Sequence, residues 1–210
     1  MSGFFNNLDM VSATLLVISG FGFLVYLGML SQPTSLKRTL AKTVAVAALA
    51  GLVLHAGGPM LLVLALALSA AGDAFLSHEG EPAFLGGLGS FLLAHIAYAV
   101  LFIGAGPGLA AASVPGVAAV VVFALVMGTL MVRNAGPLSA PVAVYVLAIT
   151  VMGLGGLVLL GAVLFMASDA ILGSEKFLMS ETSSLRRLTS PAVWVLYYAG
   201  QVLITLGLLA

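Results

Sequence analysis

Residues 43–77 read TVAVAALAGLVLHAGGPMLLVLALALSAAGDAFLS, and this stretch decides the fold. It is 35 residues of almost unbroken apolar sequence. As one helix it would run about 52 Å, against a bilayer core of about 30 Å. The run His55-Ala-Gly-Gly-Pro59 sits inside it and is a strong breaker. The stretch therefore reads as two membrane crossings joined by a tight turn. The second crossing carries Asp73, a charge that lipid does not tolerate without a reason.

The same reasoning extends outward. Leu138–Gly173 is also too long for one crossing and breaks at Gly153-Leu-Gly-Gly156. Met10–Leu30, Phe84–Ile103, Leu109–Val132 and Pro191–Leu209 each provide one span. The expectation is an all-α polytopic membrane protein of eight transmembrane helices in a single domain over 1–210. Spans fall near 10–30, 43–56, 59–77, 84–103, 109–132, 138–152, 154–173 and 191–209. The opening residues MSGFFNNLD hold no Lys or Arg, so the first apolar stretch reads as a retained span rather than a secretory signal.

Composition leads to the same class. Hydrophobic residues make up 62% of the chain and charged residues 7%, far below the roughly 25% of a soluble domain. Most of the surface must then face lipid. Net charge is zero, which argues against a nucleic-acid partner. No cysteine is present, so thiolate chemistry and disulfides are excluded.

With eight spans, Lys37, Arg38, Lys42, Arg133, Lys176, Arg186 and Arg187 all fall on one side. The positive-inside rule makes that side cytoplasmic. Both termini are expected outside, in the cell membrane (the inner membrane of a bacterium).

Polar residues within spans need their own explanation, because a helix already satisfies its backbone. Asp73 and Asp169 lie near the cytoplasmic ends of spans 3 and 7. His95 and Tyr98 share a face of span 4, Tyr145 lies in span 6, and Tyr198 and Gln201 lie in span 8. Plainer readings exist for each. An aspartate one turn from a loop can snorkel, a lone His can bond between helices, and tyrosines anchor interfaces. The three histidines, His55, His78 and His95, fall at three different depths, so a three-His metal site is not expected. Ala71-Gly-Asp-Ala-Phe-Leu76 echoes Ala167-Ser-Asp-Ala-Ile-Leu172, as two four-helix parallel repeats would produce.

Several pieces resemble the YhhN family of membrane proteins. They are Gly72-Asp73-Ala-Phe-Leu76, Gly89-Ser-Phe-Leu-Leu-Ala-His95-Ile-Ala-Tyr98, Tyr145 followed by Met152, Gly161-Ala-Val-Leu-Phe-Met-Ala-Ser168-Asp169, and Tyr197-Tyr-Ala-Gly-Gln201-Val-Leu-Ile204. Lys42 looks like the lysine of a family lysine-proline pair, with Thr43 in place of the proline. The resemblance implies eight spans and a lysoplasmalogenase, a hydrolase cleaving the vinyl ether of a membrane lipid, with no cofactor. Such a reaction suits two carboxyl groups, one acid and one ionised, as in glycoside hydrolysis. Asp73 and Asp169 are the expected catalytic pair. His95, Tyr98, Tyr145, Tyr198, Gln201 and Lys42 are the expected substrate-binding residues, and Lys42 and Arg133 are placed to meet the lipid phosphate. The competing class is a small transporter or lipid-binding protein that uses the aspartates for a proton or cation.

The orientation is testable because the chain lacks cysteine. Cys introduced at Ser2 should label with an impermeant reagent in intact cells, and Cys at Ser183 should label only after lysis. The reverse pattern would invert the topology.

Overall fold

A computed structural model of the chain describes residues 8–105, 113–155 and 160–210. Among these the regular structure is helical: α1 (Met10–Gly28), α2 (Leu36–His55), α3 (Met60–Leu76), α4 (Glu81–Ala105), α5 (Val114–Asn134), α6 (Ser139–Gly155), α7 (Leu160–Phe177) and α8 (Arg186–Leu209). A single turn of 3₁₀ helix, Gly136–Leu138, joins α5 to α6. Six of the helices are long and apolar enough to cross a membrane. Of the other two, α3 is apolar but has 17 residues, and α7 holds Asp169, Glu175 and Lys176 within its 18. The protein is a polytopic all-α membrane protein.

The 43–77 stretch folds as its sequence dictates. Helix α2 ends at His55, and Gly57 follows at φ 68°, the left-handed conformation that closes a helix and favours glycine. Pro59 then precedes α3. Helix α2 begins earlier than the expected residue 43. The Ser35 hydroxyl caps Arg38 N–H at 3.3 Å, so the Leu36–Lys42 segment, polar as it is, adds two turns. Likewise α8 begins at Arg186 rather than at Pro191. Pro191 stands inside this helix, past the first four donors, so the helix runs through it without the hydrogen bond its N–H would have made to the preceding turn. Helix α6 ends at Gly155, within the expected Gly153–Gly156 break; Gly156 itself lies outside the described residues.

The chain divides into two compact units, residues 1–98 with 201–210, and residues 99–200. In the first, α1 and α2 approach through small residues. A Cβ on Gly22 would lie 2.9 Å from the Ala41 carbonyl oxygen, and Ser19 Oγ donates to the Ala45 carbonyl at 2.5 Å. Such contacts let backbones meet where no hydrophobic force separates protein from lipid. The outward face of α1 carries Val17, Phe21 and Leu24, each more than 60% exposed, and the inward face carries Ser12, Ser19 and Gly22. This polarity is inverted relative to a soluble helix, as a lipid solvent requires. In the second unit, Gly200 on α8 lies against the Gly161 backbone of α7, where a Cβ would sit 2.8 Å from the carbonyl oxygen.

At the turn end of α2, His55 Nε2 lies 2.7 Å from Asp9 Oδ2, and Asp9 Oδ1 caps α1 through Ser12 N–H at 2.8 Å. His55, then the Ser12 cap, pull the Asp9 carboxyl down from 3.8 to about 2. A depressed carboxyl adds stability above its unfolded value, and that stability is lost as pH falls through the folded value. Asp9→Asn keeps a capping oxygen but removes the charge. Its melting temperature in detergent should lie below that of the parent above pH 4, and the gap should close as pH approaches 2. A gap independent of pH would exclude a charge effect.

Candidate functional site

The first unit holds a buried polar cluster inside apolar helices. Asp73, 1% exposed on α3, lies with Oδ1 3.0 Å from the Lys42 ammonium on α2. Helix α3 presents it inward because Gly72, beside it, leaves room for the Phe91 ring of α4; a Cβ there would come within 2.6 Å of that ring. One turn along the same face, Ser69 is fully buried against the phenol of Tyr98. The Tyr98 hydroxyl donates to Gln201 Oε1 on α8. Tyr98, Gln201 and Thr205, one turn beyond Gln201, are all at 0% exposure. A lone charge here would cost several kcal/mol, and pairing with hydrogen bonding is what makes it tolerable.

His95 is fully buried one turn before Tyr98. Its Nδ1 donates to the Phe91 carbonyl of its own helix at 2.6 Å, which fixes Nδ1 as a protonated nitrogen. The ring is thereby oriented by α4 itself, the arrangement a helix offers to any inward histidine with a carbonyl four residues back.

The second unit holds Asp169. Tyr145 on α6 donates its phenol to Asp169 Oδ2 on α7 at 2.5 Å. Both residues are half-buried. Ser168 Oγ, beside it, donates to the Val193 carbonyl of α8 at 2.8 Å, tying the two helices together next to the carboxylate. Tyr198 stacks obliquely on Trp194, ring centroids 6.0 Å apart, within an aromatic group that includes Tyr197 and Phe165.

The structure thus joins the expected site residues in sets: Lys42 with Asp73, Tyr98 with Gln201, and Tyr145 with Asp169. Each aspartate is met by a side chain from another helix. Tyr198 sits among aromatic rings. Arg133 lines a groove of about 340 Å³ with Leu125, Gly128 and Val146.

Sequence reasoning passed over four residues that make polar or cation–π contacts: Ser69, Tyr26, Arg38 and Glu175. Ser69 and Tyr26 lie in apolar stretches where one hydroxyl attracts no notice. Arg38 was accounted for by topology alone. Glu175, 6% exposed at the end of α7, accepts from the hydroxyls of Thr189 and Ser190. Its spacing of 14 residues from Thr189 across a loop carries no local pattern.

An all-α membrane protein whose buried charges are paired across helices is the class defined so far. The chain belongs to the YhhN family, which matches residues 37–208. It is similar to proteins named lysoplasmalogenase from Mycobacterium bovis and from Mycobacterium tuberculosis. Each is 37% identical over 163 residues, covering 70% of this chain and 59% of the relative. The chain therefore spans less than two thirds of the length of these curated relatives. No solved structure matches it significantly.

The Lys42–Asp73 pair can be weighed by a mutant cycle. Removing one partner leaves an uncompensated buried charge, worth about 3–5 kcal/mol in comparable cases. Lys42→Met and Asp73→Asn should each lower the melting temperature in detergent clearly. The double variant should recover most of the loss. Simple addition of the two losses would mean the charges do not support one another.

Proposed function

We propose that this protein hydrolyses the vinyl ether bond of a lysoplasmalogen, releasing a fatty aldehyde and a glycerophospho-alcohol. The observation that carries the reading is Asp73, a carboxylate buried with its own ammonium inside an apolar helix. Charge at such a place is retained for use, since structure alone is served more cheaply by apolar packing. The name borne by the two mycobacterial relatives supports the reaction class.

The chemistry needs an acid, an ionised group and water. A proton adds to the β-carbon of the alkenyl chain, giving an oxocarbenium ion. Water adds to the cationic carbon and loses a proton, forming a hemiacetal. Collapse of the hemiacetal breaks the C–O bond to the glycerol and yields the aldehyde and the alcohol. One water is consumed and no oxidant or reductant is required. Asp73, beside Lys42, is the ionised member; it offsets the cation and takes the proton from water. Asp169 supplies the first proton and is held in orientation by the Tyr145 phenol. His95, Tyr98 and Gln201 position polar groups of substrate or water.

Detergent-purified protein should release aldehyde from lysoplasmalogen. Asp73→Asn and Asp169→Asn should each lower the rate at least about a hundredfold, the usual worth of a general acid or base. Two groups serving one reaction give losses that do not add, so the double Asn variant should be little slower than the worse single. Folding and chemistry separate in Lys42→Met/Asp73→Asn, which should regain thermal stability and stay inactive. Absence of aldehyde from the parent protein, with proton- or ion-coupled flux in liposomes, would replace the hydrolase by a transporter.

A further inference from the structure

We infer that Arg38, held with Lys42 over the ring of Tyr26, receives the phosphate of the lipid headgroup and selects for it. This rests on the lysoplasmalogen reading and adds the subsite that positions the substrate.

Arg38 and Lys42 lie four residues apart on α2, hence on one face of the helix. Both cations sit over the same ring of Tyr26 on α1, Arg38 Cζ at 5.5 Å from its centroid and Lys42 Nζ at 5.6 Å. Tyr26 is buried, so the ring is a fixed wall rather than a surface accident. Two cations one turn apart repel, and cation–π attraction to a shared ring offsets only part of that. Lys42 has Asp73 as its anion. Among the described residues Arg38 has no carboxylate partner within ion-pair distance. The trio of Arg38, Lys42 and Asp73 therefore carries a net positive charge at the edge of a low-dielectric region, with Lys37 exposed beside it.

The half-buried Arg38 guanidinium is held in place. Its Nη1 donates to the Gln32 carbonyl at 3.1 Å, in the turn between α1 and α2. A guanidinium has five N–H donors in a planar fork that suits phosphate oxygens. One donor is used to anchor it, and the fork remains for an anion.

The spacing fits the substrate. In a lysoplasmalogen, three glycerol carbons separate the vinyl ether oxygen from the phosphate ester oxygen, a length comparable to one helix turn of about 5.4 Å. Arg38 is one turn from Lys42, and Lys42 holds Asp73. A phosphate on Arg38 thus places the ether bond at the depth of the Lys42–Asp73 pair. Lys42 is committed to the carboxylate, so Arg38 and not Lys42 distinguishes a phospholipid from a neutral ether lipid.

The test compares 1-alkenyl-glycerophosphoethanolamine with 1-alkenylglycerol on the full chain in detergent. Arg38→Gln should lower the preference for the phosphate-bearing lipid at least tenfold, chiefly through KM, and Arg38→Lys should restore most of it. A second measurement does not depend on turnover. A non-hydrolysable 1-alkyl lysophospholipid should raise the melting temperature more than 1-alkylglycerol does, and Arg38→Gln should erase the difference. Equal loss on both substrates, or an undiminished lysophospholipid shift in Arg38→Gln, would overturn the proposal. An equal shift from glycerophosphate alone would overturn the lipid as occupant. If the parent releases no aldehyde from either lipid, the hydrolase reading fails, and the melting measurement still decides the phosphate site.

Discussion

The contact between Lys42 and Asp73 is the constraint on which the surrounding structure turns. A single charge in the apolar interior would be prohibitive, and only a partner on another helix reduces that cost. The pair therefore fixes more than two side chains. It requires α2 to enter the membrane with its second turn facing α3, and it requires α3 to present Asp73 inward. Gly72 meets the second demand by letting the Phe91 ring come close to α3. Tyr26 meets the first by supplying a ring for the Lys42 ammonium. The ion pair is thus the point where packing of α1, α2, α3 and α4 becomes mutually consistent.

Lipid gives little reward for bringing apolar helices together, so close contact must come from shape and from hydrogen bonds. The chain uses both. Gly22 meets the Ala41 and Ala45 backbone, and Ser19 adds a hydrogen bond to the same partner helix. Ser168 does the same for α7 and α8, near Gly161 and Gly200. These small and hydroxylated residues are unremarkable by composition. They matter because every one faces another helix while Val17, Phe21 and Leu24 face outward.

Much of this was legible beforehand, for physical reasons. Helix number followed from length against bilayer thickness, and the Gly57 turn followed from a glycine pair before proline. The inward aspartates, His95, Tyr98 and Gln201 stood out because polar groups are rare in lipid. Which polar residues pair was not legible. The pairing of Lys42 with Asp73 had no local signal, since 31 residues separate them. The start of α2 was also placed too late, because Lys37, Arg38 and Lys42 looked too polar for a helix continuous with a span. A capped helix end accepts them, and the Ser35 cap was the available clue. Tyr26 and Ser69 stayed invisible because one hydroxyl in an apolar run reads as ordinary membrane helix.

The two aspartates show why partner identity outweighs local sequence. Ala71-Gly-Asp-Ala-Phe-Leu76 and Ala167-Ser-Asp-Ala-Ile-Leu172 each place a carboxylate on a helix, Asp73 in the last turn of α3 and Asp169 two turns before the end of α7. The residue before each differs in use: Gly72 admits a phenyl ring, whereas Ser168 ties its helix to Val193. The partners differ more. Asp73 receives a full positive charge from Lys42, and Asp169 receives a neutral phenol from Tyr145. An ammonium stabilises a carboxylate only as an anion, whereas a phenol can hydrogen-bond to either protonation state. Similar sequence therefore meets unlike partners once the neighbouring helices are in place. In the proposed hydrolysis that inequality would let one carboxyl group give a proton while the other receives one.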